Sequence, residues 1–178
     1  MSKKNLCKLL MVCAFIAISA NKTMAQTQNV TLNVIINNIT SLTIGSSFQS
    51  ATLTYTTASD YANGVSLSQP AAMTAISNQP YSITVYASTD LVNGLNSIPV
   101  HDVTVTPAPS IANANATCTA QPIPTGAGSA LQIVHSTAGT TEQQYDLTYS
   151  TQSAPQTDFL GKPAGTYTTT LTYSITNP

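Results

Sequence analysis

Few residues of this chain could carry out bond chemistry, and their spacing decides what that chemistry would be. The histidines are His101 and His135, and the acids are Asp60, Asp90, Asp102, Glu142, Asp146 and Asp158. His101-Asp102 has the residue types of a general base and its orienting carboxylate. Neighbours on a strand point to opposite faces, whereas proton transfer needs both groups positioned together, so a structural role suits the pair better. Cys118 could be a nucleophile if a distant histidine activated it. It lies in an irregular, proline-flanked segment with no cation beside it, and reads as an incidental buried thiol. Ser129, in GAGSA, lacks the nucleophile-elbow spacing, and no phosphate-loop lysine follows it. No local set of Cys, His and carboxylates has metal-ligand spacing, and no calcium-loop pattern of alternating acids closes on a glutamate. The expectation is a non-enzymatic protein with no catalytic residue, no metal and no cofactor.

The start of the chain explains where its charge lies. Lys3, Lys4 and Lys8 precede a twelve-residue apolar run, Leu9 to Ala20, and Thr23-Met24-Ala25 offers small residues at the minus-three and minus-one positions. This is the pattern of a cleaved secretory signal peptide over residues 1–25. The run is too short to cross a bilayer as a helix. Cys13 raises a lipoprotein alternative, but Val12 stands where a small residue is needed and the apolar run continues past the cysteine. Beyond Ala25 the chain keeps only Lys162 against six acids, a net charge of −5. Nucleic-acid binding needs clustered lysine and arginine and is excluded. Polarity comes from Thr, Ser, Asn and Gln, as suits an exported β-protein of the cell surface, reached through the periplasm. Cys118 alone remains after cleavage, so no internal disulfide is available.

Apolar residues recur at period two throughout, with β-branched and aromatic types prominent, which predicts strands. Val30, Leu32, Val34 and Ile36 alternate in 29–37, and a short run follows at 39–44. Leu53 and Tyr55 alternate with threonines in 51–57. Residues 58–70 read as a loop with an Asn63-Gly64 turn. Runs at 71–77 and 81–88 flank Asn78-Gln79-Pro80 and predict a hairpin with Tyr81, Ile83, Val85 and Ala87 inward. In 98–106 the apolar parity changes at His101-Asp102, as a β-bulge would require. Residues 107–129 form the longest irregular stretch. Strands resume at 130–135 and at 145–151, the latter with Tyr145, Leu147 and Tyr149 inward and Asp146 outward. The last strand, from Thr166, alternates hydroxyls with Tyr167, Leu171, Tyr173 and Ile175. The hydroxyl row needs no special role, because threonine suits a solvated strand face. About eight or nine strands in one domain over 38–178 predict an all-β, immunoglobulin-like antiparallel sandwich.

The two ends then pose a question of pairing. First and last strands are candidate edges, and an exposed apolar edge must be covered. Residues 26–37 either pair within their own domain or leave to complete a neighbouring copy by strand addition. Such a heterologous contact does not close and yields a filament.

The stretches AISNQPYSITVYASTDLVNG, IPVHDVTV, YDLTYST and PAGTYTTTLTYSIT resemble bacterial pilin and fimbrial-subunit surface domains, and the whole chain resembles colonisation-factor-type major pilins. The Ala164-Gly165-Thr166-Tyr167 strand is also similar to the end of WxL-type cell-surface domains. The pilin resemblance implies a donor strand of Val30, Leu32, Val34 and Ile36 and an acceptor edge that includes Leu171, Tyr173 and Ile175. It implies a homo-polymer or other fimbrial subunits as partners, a periplasmic chaperone, and adhesion to a surface glycan or host receptor. The chain departs from type-1-like pilins in lacking their cysteine pair and in carrying Asn177 where they often have tyrosine. The tryptophan motifs of WxL domains are absent. A self-contained module that binds a glycan or host ligand, through the 107–129 loop, Tyr61, Tyr86 or the threonine faces, is the alternative.

Overall fold

The computed structural model describes residues 26–178; the expected signal peptide, with Cys13, lies outside them. The chain divides into two units at Ile36/Asn37. Of the first, residues 26–36 are described: they form no helix or strand, and all are exposed. Val30, Leu32, Val34, Ile35 and Ile36 are each at least 76% exposed. A strand was expected here from the alternation. The alternation is present but the ladder is not, because a strand exists only beside a partner.

The second unit is all-β and antiparallel. Its strands are β1 Thr40–Ile44, β2 Ser66–Ser77, β3 Tyr81–Ala87, β4 Leu91–Asn93, β5 Asn96–Ile98, β6 Thr104–Pro109, β7 Ala116–Cys118, β8 Gln121–Pro122, β9 Leu131–Ser136, β10 Thr140–Ser150 and β11 Leu171–Thr176. One sheet runs β1-β2-β10-β6-β8, a second β11-β3-β9-β7, and β4 and β5 form a separate hairpin. The expected eight or nine strands become eleven among the described residues, four of them only two or three residues long.

Both large sheets turn one face to a common core. Met73, Ala75, Val105, Tyr145 and Leu147 from the first meet Tyr81, Ile83, Val85, Ile133 and Val134 from the second. The inward faces predicted for 81–87 and 145–149 are the buried ones, and the core forms because period two sends every second side chain to it. Inside, the Tyr81 and Tyr145 hydroxyls bond each other at 2.6 Å, and burial pushes the Tyr145 phenol far up. Buried hydroxyls must be paired, so removing one strands the other. Tyr81→Phe or Tyr145→Phe alone should each cost about 1–2 kcal/mol, and the double variant clearly less than their sum. Urea denaturation of the three variants checks this.

Several local expectations need correction. Residues 71–77 and 81–88 do not make a hairpin: β2 and β3 belong to opposite sheets, and the 78–80 turn is an arch between them. The parity change at 98–106 is not a bulge but a break, since a 3-10 turn, Val100–Asp102, separates β5 from β6. Residues 58–70 are not simply a loop. They hold a short helix, α1 Ala58–Asn63, with a capping box between Thr57 and Asp60. Asn63-Gly64 ends that helix, Gly64 taking φ 72° as its C-cap, rather than turning a hairpin. The 107–129 stretch is broken by β7 and β8. The terminal strand is shorter than expected and begins at Leu171.

Candidate functional site

The feature that stands out is an open groove of about 840 Å³ in the second unit. One wall is residues 48–55 and the other residues 162–171, each continuous along the chain. The first wall is the segment expected as a strand at 51–57. Leu53 and Tyr55 are half-buried and Thr52 and Thr54 exposed, as a strand edge would have them, yet no ladder forms. Residues 51–55 make no backbone–backbone hydrogen bond.

The cause lies in the neighbouring strand. The β1–β2 ladder runs from Thr40↔Ser77 to Ile44↔Met73 and stops. Just beyond, β2 carries Pro70, which has no N–H to give, and Ala71 at φ 50°, a left-handed conformation that is costly for a residue with a Cβ. Asp146 Oδ1 holds the kink by accepting the Ala71 N–H at 2.7 Å. The chain after β1 therefore leaves the sheet edge. It is held mainly by side chains: the Tyr55 hydroxyl bonds Thr151 Oγ1 at 2.6 Å, and its ring stacks on Phe159 with centroids 4.9 Å apart.

The opposite wall is bound on one side only. Thr168 and Val92 exchange N–H···O=C bonds, and the Ser88 N–H donates to the Thr170 carbonyl. The alternate backbone groups, those of Tyr167 and Thr169, make no backbone–backbone bond. Between these walls the floor is apolar, with Ile44, Val100, Val103, Ile123 and Leu171 among its residues. Its polar atoms are satisfied internally: the Tyr149 and Tyr173 hydroxyls bond at 2.8 Å, and burial pushes both phenols up. Eight extended residues span about 26 Å, so the walls frame a slot of strand length.

Between the groove-lining Val100 and Val103 the chain carries an unusual carboxyl. Asp102 is 3% exposed, and its Oδ2 has no hydrogen-bond partner. Burial raises its pKa; the Asp158 charge raises it further, His101 opposes, and the nearby Asp158 and Asp90 carboxyls push the same way as burial. His101 Nε2 lies 3.8 Å from Asp102 Oδ1 but is largely exposed. The neighbouring Val100 N–H donates to Asp90 Oδ1 at 3.0 Å.

Of the residues singled out in the sequence, Leu171 and Tyr173 line the groove, while Ile175, which pairs with Ile83 in the sheet, does not. His101 and Asp102 share a turn. Cys118 sits half-buried on β7 with its thiol pKa raised by burial, the opposite of activation. His135 is on β9, where Nδ1 lies 3.2 Å from the Ser82 hydroxyl. Ser129 closes a 3-10 turn, Ala127–Ser129. Among the described residues no three metal-ligating side chains gather. Missed in the sequence were the floor residues Ile44, Val100 and Ile123 and the buried state of Asp102. The two unmatched edges of alternating residues were the only signal for the groove.

The structure defines the chain as an all-β protein of antiparallel sheets. No protein-family model matches it, and no curated protein matches it either.

Proposed function

We propose that this chain is a non-enzymatic, pilin-like structural subunit of the bacterial cell surface, built as an immunoglobulin-like sandwich lacking one strand. In this reading residues 29–36 of one copy fill the groove of the next. The observation that carries it is the slot itself: two walls in which residues 51–55, Tyr167 and Thr169 make no backbone–backbone bond, above an apolar floor. Backbone groups beside buried surface are normally paired, and an inserted strand would pair these. The same chain offers a fitting one, exposed and alternating Val30, Leu32, Val34 and Ile36. Leu171 and Tyr173 are the acceptor residues retained from the sequence, with the 48–55 wall added.

The direction of β1 favours donation between copies. The groove opens beside Ile44, the last residue of β1, while residues 29–36 precede its first residue, Thr40. To fill its own groove the segment would have to double back past β1, about 17 Å of strand, using roughly five of its eight residues before reaching the slot. A neighbour's strand has no such constraint, and the resulting head-to-tail contact propagates. Residues 1–25 would direct export, and a periplasmic chaperone would cover the groove before assembly.

The test is to express the mature chain, look for filaments by electron microscopy, and solve the filament. A strand from another copy lying between residues 48–55 and 166–173 is expected. A groove filled by the chain's own residues 29–36, in a stable monomer, overturns the proposal.

A further inference from the structure

We infer that Gln69 is a latch for the 48–55 wall, half made in this structure and completed when a strand enters the groove, its Oε1 then taking the Thr52 N–H. This rests on the strand-acceptor reading and adds how the wall responds to its occupant. Gln69 Nε2 donates to the Ser50 carbonyl at 2.9 Å, and Ser50 lines the groove. Among the described residues this is the one hydrogen bond between residues 46–55 and β2. The last backbone tie before it runs from the Gly45 N–H to the Ala72 carbonyl. The wall therefore hangs from Gln69 at one end and from Tyr55, bonded to Thr151, at the other.

Glutamine is an unexpected type at this position. Gln69 is 6% exposed, in phase along β2 with the buried Met73 and Ala75. A buried side-chain amide is costly unless both its ends are bonded. Here Nε2 is bonded, while the buried Oε1 has no partner. The strand has a use for an amide at this point. Residues 66–69 pair with β10 on one side, whereas β1 on the other pairs only with 73–77, the kink at Pro70 and Ala71 lying between. A side chain that both donates and accepts can stand in for the missing backbone pair.

The direction of the backbone groups names the missing partner. Along a strand they alternate between its two edges, so the Ser50 carbonyl and the Thr52 N–H share one edge and the groups of Ala51 and Leu53 the other. A primary amide carries its N–H and its oxygen side by side. One that donates to Ser50 is therefore set to accept from Thr52, as a residue of a neighbouring strand does. In this structure the Thr52 N–H makes no backbone–backbone bond. A strand entering the groove pairs with Ala51 and Leu53 and draws the wall into strand geometry, which brings Thr52 to Oε1. The closed latch in turn holds the wall against the strand. That gain exists only in the filled state, so it adds to affinity rather than to the stability of the unfilled chain.

The experiment has two arms on the mature chain carrying Val34→Asp, which cannot donate, with a peptide of residues 29–36 as the probe. In the first, amide hydrogen exchange of the wall is read by NMR with and without saturating peptide. Without peptide, Thr52 and Leu53 are expected to exchange fast. With it, both should exchange slowly, Leu53 through the peptide and Thr52 through Gln69. In Gln69→Met, Thr52 alone should return to fast exchange. A Thr52 that exchanges fast beside a protected Leu53, with Gln69 in place, overturns the latch and leaves the acceptor reading standing. In the second arm, Gln69→Met should weaken peptide binding about tenfold. The Tm of the peptide-free chain should hold or rise, because methionine fills the site without an unpaired acceptor. Unchanged affinity overturns the latch, and a lowered Tm beside it assigns Gln69 to stability alone. No binding of the peptide with Gln69 in place overturns the acceptor reading and the latch with it. The first arm turns on the chain that keeps Gln69, so it decides the proposal even where Gln69→Met does not fold.

Discussion

Deleting residues 26–36 is expected to abolish filaments altogether and leave a monomer. The segment removed contains Val30, Leu32, Val34 and Ile36, each at least 76% exposed. Burying a side chain of this size contributes about 1.5–3 kcal/mol, so four in the slot supply on the order of 6–12 kcal/mol before the costs of association. Losing that term moves assembly by many powers of ten, which is why the expected outcome is absence rather than weakening. The core itself lies wholly in the second unit, in residues such as Met73, Tyr81 and Tyr145. The truncated chain should therefore still fold, with its groove empty. Free peptide 29–36 should then raise its Tm in a concentration-dependent way, as any ligand that binds only the folded state does. Size-exclusion chromatography, electron microscopy and thermal unfolding read these outcomes. If instead the truncated chain loses its cooperative transition and the intact chain is a monomer, residues 29–36 serve their own domain.

The parts of this fold that the sequence reveals are those fixed by period two. Alternation identifies the buried face, and it does so correctly for Tyr81, Ile83, Val85 and Ala87 and for Tyr145, Leu147 and Tyr149. It does not identify which strand lies alongside. Residues 71–77 and 81–88 look like a hairpin because their connection is short, yet β2 and β3 enter different sheets. Residues 51–57 alternate as a strand should, yet the kink at Pro70-Ala71 removes their partner. Helix α1 escapes a periodicity reading because none of its residues is buried. Its only sequence signal is the Thr57-to-Asp60 capping spacing, and the carboxyl pKa of Asp60 is lowered by the N–H groups of Thr56 and Thr57. Asp102 was weighed as a partner for His101, its sequence neighbour. The groups that govern it are instead burial and Asp158, fifty-six positions away. Such pairings are set by topology, and no local pattern encodes them.

A chain bearing Val34→Asp should act as a terminator when mixed with unmodified chain. The substitution leaves the second unit untouched, since Val34 belongs to the first. It places a carboxylate where the donor would enter over an apolar floor that includes Ile44, Val100 and Ile123, while Lys162 of the wall donates to the Ser97 carbonyl. A charge buried without a partner costs several kcal/mol even after relaxation, so donation should fall by about a thousandfold or more. Acceptance should be unchanged, because the groove of the variant is intact. A subunit that accepts but cannot donate occupies one end of a filament and stops growth there. Mean filament length should therefore fall in inverse proportion to the fraction of variant, and the variant alone should stay monomeric. The conservative Val34→Ile should leave lengths unchanged, which separates charge burial from mere alteration of the segment. The mirror variant, Leu171→Asp on the acceptor wall, should donate without accepting and so cap the other end. Mixing the two single variants then becomes the decisive case. A head-to-tail mechanism predicts a heterodimer from two chains that are each monomeric alone, one intact donor seated in one intact groove. A symmetric contact, in which both copies use the same patch, instead closes unmodified chains into dimers that do not grow. Length distributions from electron micrographs and light scattering on the mixtures distinguish the two.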